Sequence, residues 1–218
     1  MTLQEFSIEF DILYNNISSN QAPGLTEYEK SVFLTQAQEA LVLDLYKGTT
    51  GDSFETTEEV TRYLSTLVKS FITTHFEEPV NYIGTPEYVV NFQLNNLWFI
   101  TFQSATIVVD LIKSRDVLVV PAKQDSLYKD LKNPFKRPDK NKIFVINEDG
   151  KVKLYSNYPI TRYVLKYLSK PSPIILSDLE SEWSINGISN ATECSLPESL
   201  HRQILLRAVQ MAKAVWQS

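Results

Sequence analysis

Apolar residues recur at helical spacing near both ends of this chain and at every second position through its middle. That change of period constrains the fold most, because a helix buries a stripe with a repeat near 3.6 and a strand buries alternate residues. The pattern predicts a first helix over 2–18, with Phe6, Phe10, Leu13, Tyr14 and Ile17 on one face and Ile8 and Ile12 on the opposite one. Thr26 and Glu29 have capping-box spacing and open a second helix, whose expected stripe is Phe33, Ala37, Ala40, Leu41 and Leu45, with Gly48 as its stop. Thr56 and Glu59 repeat the signal for a third, carrying Val60, Leu64, Leu67, Val68 and Phe71. Ser195, Pro197 and Glu198 open the closing helix. Its main stripe is Leu200, Ile204, Ala208, Met211, Ala212 and Val215, and Leu206 lies opposite among Arg202, Gln203, Gln210 and Lys213.

Between the third and last helices the repeat is two. Tyr88–Leu94 and Trp98–Phe102 read as a hairpin across Asn95-Asn96, since Asn tolerates the positive φ of tight turns. Residues 105–112 and 117–120 are further strands, and a helical turn is expected over 126–131. Residues 143–146 and 152–155 flank Asn147-Glu-Asp-Gly150, a second hairpin. In the last strand, 160–168, Thr161, Tyr163, Leu165 and Tyr167 share the side expected to be buried or to face a partner, and Pro171 and Pro173 then take the chain out of the ladder. The order predicts an α+β fold: a helical bundle of three N-terminal helices plus one C-terminal helix, from residues 1–80 with 190–218, and a β-rich insertion lobe over 81–189.

Composition narrows the function. With 218 residues, a net charge of −5 and one cysteine, the chain lacks the clustered cations of a general nucleic-acid grip and cannot form an internal disulfide. No apolar segment is long enough to span a bilayer, and the first residues lack the apolar run of a secretory signal. His75 and His201 fit no metal-ligand spacing. Gly48–Ser53 lacks the Lys-Ser/Thr ending of a phosphate loop and follows a helix rather than a strand. Asp178, Glu180 and Glu182 cluster in a polar connection, and Cys194 has no basic neighbour in sequence to activate it. No catalytic, cofactor-binding or metal-binding residues are therefore predicted. Between Lys129 and Lys142, by contrast, basic residues dominate around Phe135. Lys132, Lys136 and Arg137 there read as a docking patch for an acidic protein surface.

Residues 9–16 (EFDILYNN), 20–34 (NQAPGLTEYEKSVFL), 167–176 (YLSKPSPIIL), 196–201 (LPESLH) and 207–209 (RAV) resemble the neck and tail ring proteins of crAss-like and related Bacteroidetes-infecting tailed phages. The element order is also similar to that of podovirus head-to-tail adaptors of the tail-tubular-A type. The resemblance implies a structural virion protein that carries no catalytic residues. It would form a homo-oligomeric ring, a dodecamer, between the portal and other neck or tail rings. DNA would pass through its channel without sequence-specific binding, and no membrane would be involved. Under that reading Ile8, Ile12 and Leu206 are expected at subunit interfaces, and Lys132, Lys136 and Arg137 are expected to face a neighbouring protein. The alternatives are a capsid accessory or tail-fibre adaptor and, from a different class, a metal-dependent hydrolase built on the acidic cluster.

Overall fold

The computed structural model describes residues 1–15, 24–48, 58–91, 96–110, 113–148, 150–180 and 182–216. They form two compact units, Met1–Leu67 with Lys170–Ser218, and Val68–Ser169. The fold is α+β, with five helices and one eight-stranded sheet among the described residues.

In the first unit, α1 (Leu3–Asn15) buries Phe6, Phe10 and Tyr14. α2 (Glu27–Lys47) starts at the predicted capping box, and Gly48 ends it in the left-handed conformation, φ 68°, which a side chain would strain. α3 spans only Glu58–Leu64, and α5 spans Glu198–Trp216. α5 packs against both α1 and α2. Phe6 lies 5.3 Å from the His201 ring, and Lys213 Nζ donates to Leu13 O at 2.8 Å. On the α2 side, Arg207 pairs with Asp44.

Two helical expectations are corrected here. The buried face of α2 is not Phe33–Ala40–Leu41 but one that includes Ser31, Leu34, Thr35, Gln38 and Val42. The polar members are buried because the segment after Ser169 runs along them and consumes their hydrogen bonds. Ser31 Oγ accepts from Leu176 N at 3.0 Å, and Thr35 Oγ1 accepts from Ile174 N at 3.1 Å. Gln38 Nε2 donates to Ser172 O at 2.7 Å. Steps of four and three residues on the helix thus match steps of two on an extended strap, since roughly 5–6 Å of helix faces roughly 6.6 Å of strand. Secondly, Ser195 and Glu198 do not form the predicted capping box. The helix begins at Glu198, and Ser195 Oγ is buried without a hydrogen-bond partner. Thr56 of the other expected box lies outside the described residues.

The second unit holds β1 (Val68–Thr73), β2 (Val80–Tyr82), β3 (Thr85–Asn91), β4 (Leu97–Asp110), β5 (Lys113–Pro121), α4 (Gln124–Lys132), β6 (Lys142–Glu148), β7 (Lys151–Tyr155) and β8 (Ile160–Ser169). Their order in the sheet is β1-β8-β4-β5-β6-β7-β3-β2. Val68 and Phe71, expected on a helix, lie in β1, where Phe71 pairs with Leu165 of β8. The run Val68-Lys-Ser-Phe-Ile-Thr73 has β-branched and aromatic residues, and pairing along β8 overrides its helical spacing. The β3–β4 hairpin is also corrected: β3 pairs with β7 and β2, and β4 with β5 and β8. The expected strands at 98–102 and, as far as Asp110, at 105–112 are parts of one β4, whose pairing with β8 shifts register three times; 111 and 112 lie outside the described residues. The expected hairpin of 143–146 with 152–155 forms, its ladder extending to Glu148 and Lys151, with Gly150 at φ 69° and Asp149 outside the described residues. The helical turn near 126–131 is the crossover of a β5-α4-β6 unit, because β5 and β6 are parallel.

The inward residues of β3 through β8 form one core, against which Phe71 of β1, Phe76 and Tyr158 pack, and among the described residues no helix contributes to it. A sheet can bury one face on itself only by curling, and the register shifts in β4 supply local bends. Tyr163 is fully buried there and donates to Gln103 Oε1 at 2.8 Å, and burial raises its phenol pKa strongly. Thr161, expected beside it, is exposed and donates to Thr106 O instead. On the outer face, α4 seals Phe144, Ile146 and Tyr155 with Leu127 and Leu131. The unit boundaries therefore fall at Leu67/Val68 and Ser169/Lys170 rather than at 80 and 190, because β1 belongs to the sheet and the strap to α2.

Candidate functional site

Three of the titratable residues singled out by sequence, His201, Cys194 and Asp178, have structural partners. Buried His201 meets Leu196 O through Nε2 at 2.9 Å and the Met1 nitrogen through Nδ1 at 2.9 Å. Cys194 Sγ donates to Gln38 Oε1 at 3.1 Å, and burial pushes its thiol up to about 11, away from nucleophilic reactivity. Asp178 Oδ1 accepts from Ala191 N at 2.7 Å and closes a loop. Among the described residues no three His, Cys, Asp or Glu side chains converge as a metal site. Nor is any described helix long and apolar enough to cross a membrane.

Exposed apolar and basic surfaces are more informative. Ile8 and Ile12 are 60% and 53% exposed on α1, beside exposed Glu5 and Glu9. Leu206 is 43% exposed on α5, among exposed Arg202, Gln203 and Gln210. Each helix also has a separate buried stripe, so these residues are surplus to the unit's own core. Lys132, Lys136 and Arg137 are all exposed at the end of α4 and in the loop after it. The Lys132 ammonium bonds the Tyr128 hydroxyl and sits 4.3 Å from that ring's centre, and Lys136 lies 3.6 Å from Asp130.

That loop is braced. Asn133 Oδ1 accepts from Phe135 N at 3.0 Å, and Asn133 O accepts from the Lys136 and Arg137 amides at 3.0 and 2.9 Å. Beyond it, Asn157 Nδ2 donates to the carbonyl of buried Pro138 at 2.8 Å. The bracing leaves Phe135 93% exposed.

A groove missed at the sequence level lies in the first unit. Leu25, Tyr28, Val32 and Phe33, at the start of α2, face Ala212 and Val215 near the end of α5, around a cavity of about 660 Å³ that Glu29 also lines. Phe33 and Val215 were both expected in the core, but Phe33 is half-buried and Val215 is exposed. The available signal was that Phe33 follows Val32 directly, giving α2 more apolar width than one core stripe requires. Trp183 meets Tyr28 edge-on at 4.4 Å, and exposed Glu180 and Glu182 stand beside Trp183 in the chain.

A braced loop, an apolar groove and surplus apolar stripes define a chain suited to assembly. The comparisons identify the kind. Residues 1–218 match the family of phage tail ring protein 3/4, and the chain belongs to that family. It is similar to "Ring protein 3" of Bacteroides phage crAss001, at 40% identity covering 97% of this chain and 95% of that protein. It is also similar to "Ring protein 4/5" of the same phage, at 34% identity covering 100% of this chain and 94% of that one.

Proposed function

We propose that this chain is the repeating subunit of a closed ring in the neck or tail of a tailed-phage virion. The ring is dodecameric, joins the portal to the tail with other ring proteins, and leaves an axial channel for DNA. Its work is mechanical and requires no chemistry on the chain. The observation that carries this reading is the pairing of ring-protein kinship with apolar side chains that no core covers, Ile8, Ile12 and Leu206. Subunits would meet side by side through heterologous patches, which close a ring when the rotation between copies is right. Lys132, Lys136 and Arg137 would face a neighbouring protein. The net charge of −5 suits a wall past which phosphates must slide without being held.

The test is electron microscopy of the purified protein and of the virion. Closed rings with a central opening, and the same density between portal and tail, are expected. Density assigned to this chain on the capsid or a tail fibre would refute the placement, and copies lying outside any ring would refute the function.

A further inference from the structure

We infer that Phe135 on the basic loop of one copy inserts into the Tyr28–Val215 groove of a second copy. The proposal rests on the ring reading and names one contact within it. Phe135 is 93% exposed on a loop fixed by three hydrogen bonds to Asn133, so its presentation is built in rather than a product of disorder. Ordering a preformed loop on association costs little further entropy. The groove has the complementary chemistry. Its walls are aliphatic and aromatic, and its volume of about 660 Å³ is that of a site able to take a bulky apolar group.

Charge selects the occupant. The loop presents Lys132, Lys136, Arg137 and Lys140, all exposed. The groove is lined by Glu29, and exposed Trp183, whose ring meets its Tyr28 wall, directly follows exposed Glu182 in the chain, with exposed Glu180 two residues earlier. A basic collar around an aromatic plug thus matches an aromatic-walled groove whose lining carries Glu29 and whose neighbouring segment is acidic, both on the same chain. A plug on one copy and a socket on the next is a heterologous contact, the kind that propagates around a ring.

The test replaces Phe135 with the photo-crosslinker p-benzoylphenylalanine in the full chain, irradiated at the highest soluble concentration. Cross-linked peptides are mapped by mass spectrometry, and assembly is followed by sedimentation and microscopy. A bond between position 135 and residues 25–33 or 212–215 of another copy is expected. Phe135→Ala should weaken self-association by roughly 10- to 100-fold. Lys136→Glu with Arg137→Glu should also weaken it, and adding Glu180→Lys with Glu182→Lys should restore it. Rings that form equally well with Phe135→Ala and give no such cross-link would overturn the contact and leave the ring reading standing. In virions that carry the substituted chain, cross-links only to a different ring protein would overturn the choice of a second copy. Groove cross-links between copies that build no closed ring would support the contact while the ring reading fails.

Discussion

Replacing Thr35 with valine should loosen the strap that crosses α2. Thr35 is 3% exposed, and its Oγ1 serves the Ile174 backbone twice, accepting from N at 3.1 Å and donating to O at 3.3 Å. Valine has nearly the same shape, so no cavity opens, but Ile174 N and O would remain buried without that partner. Leaving a buried polar group unsatisfied costs about 1–3 kcal/mol, and the longer of the two bonds is the weaker, so the expected loss is about 2–3 kcal/mol. Thr35→Ser keeps the hydroxyl and loses a methyl, which should cost about 1 kcal/mol. Native-state hydrogen exchange is the suitable assay, because it reads the Ile174 and Leu176 amides separately from the sheet unit. A 2–3 kcal/mol loss speeds exchange at Ile174 by roughly 30- to 150-fold where exchange reports the opening equilibrium. If valine leaves Ile174 protection within threefold of wild type, or if serine costs as much as valine, the hydroxyl does not hold the strap.

Ile12→Glu and Leu206→Glu should each abolish ring formation in sedimentation and micrographs while moving folding stability by no more than about 0.5 kcal/mol, since both side chains are exposed in the subunit; unaltered rings would refute their place in the interface. The pKa of buried Lys30 is lowered by burial, but its bonds to Asp11 at 2.6 Å and Glu27 at 3.1 Å outweigh that and raise it above 10.5. A folded pKa above the unfolded one stabilises fully at lower pH and is lost as pH rises through the folded value. The stability advantage over Lys30→Met should therefore be flat up to about pH 10 and shrink beyond it, and a difference that grows with pH would refute this. Ile83 and Gly84 both have positive φ, 53° and 80°, between β2 and β3, a conformation disfavoured for a β-branched residue, whereas the turn at 186–187 places Asn-Gly in the same conformation. Ile83→Asn should raise stability by about 1 kcal/mol in denaturant unfolding, and a net loss would mean that the packing of Ile83 outweighs its strain. Native Cys194 should react with a thiol reagent at pH 8 on the order of 100-fold more slowly than in the unfolded chain, from thiolate fraction alone.

Local features were legible in the order of residues alone. The Thr26–Glu29 capping box, the Gly48 stop, the pairing of 143–146 with 152–155 and the inward set Tyr163, Leu165 and Tyr167 each depend on residues within a few positions, and each stands as read. The kinship with phage ring proteins was legible too, because the 20–34 and 167–176 motifs are contiguous. Helical periodicity placed Ile8, Ile12 and Leu206 opposite the main stripes but left open whether the same subunit covers them, and the structure shows them exposed. Tertiary structure decided what depends on distant partners. A period of two says that a segment is a strand but not which strand it joins, so β3 found β7 rather than β4. Likewise, Val68–Thr73 became a strand only because β8, nearly a hundred residues later, offered an edge. The polar stripe of α2 reads as solvated until the strap satisfies it, and the groove exists only where α2 begins beside the end of α5. Burial and hydrogen-bond satisfaction are properties of the assembled chain, and a polar side chain carries in its sequence no mark of whether water or a backbone 139 residues away will be its partner.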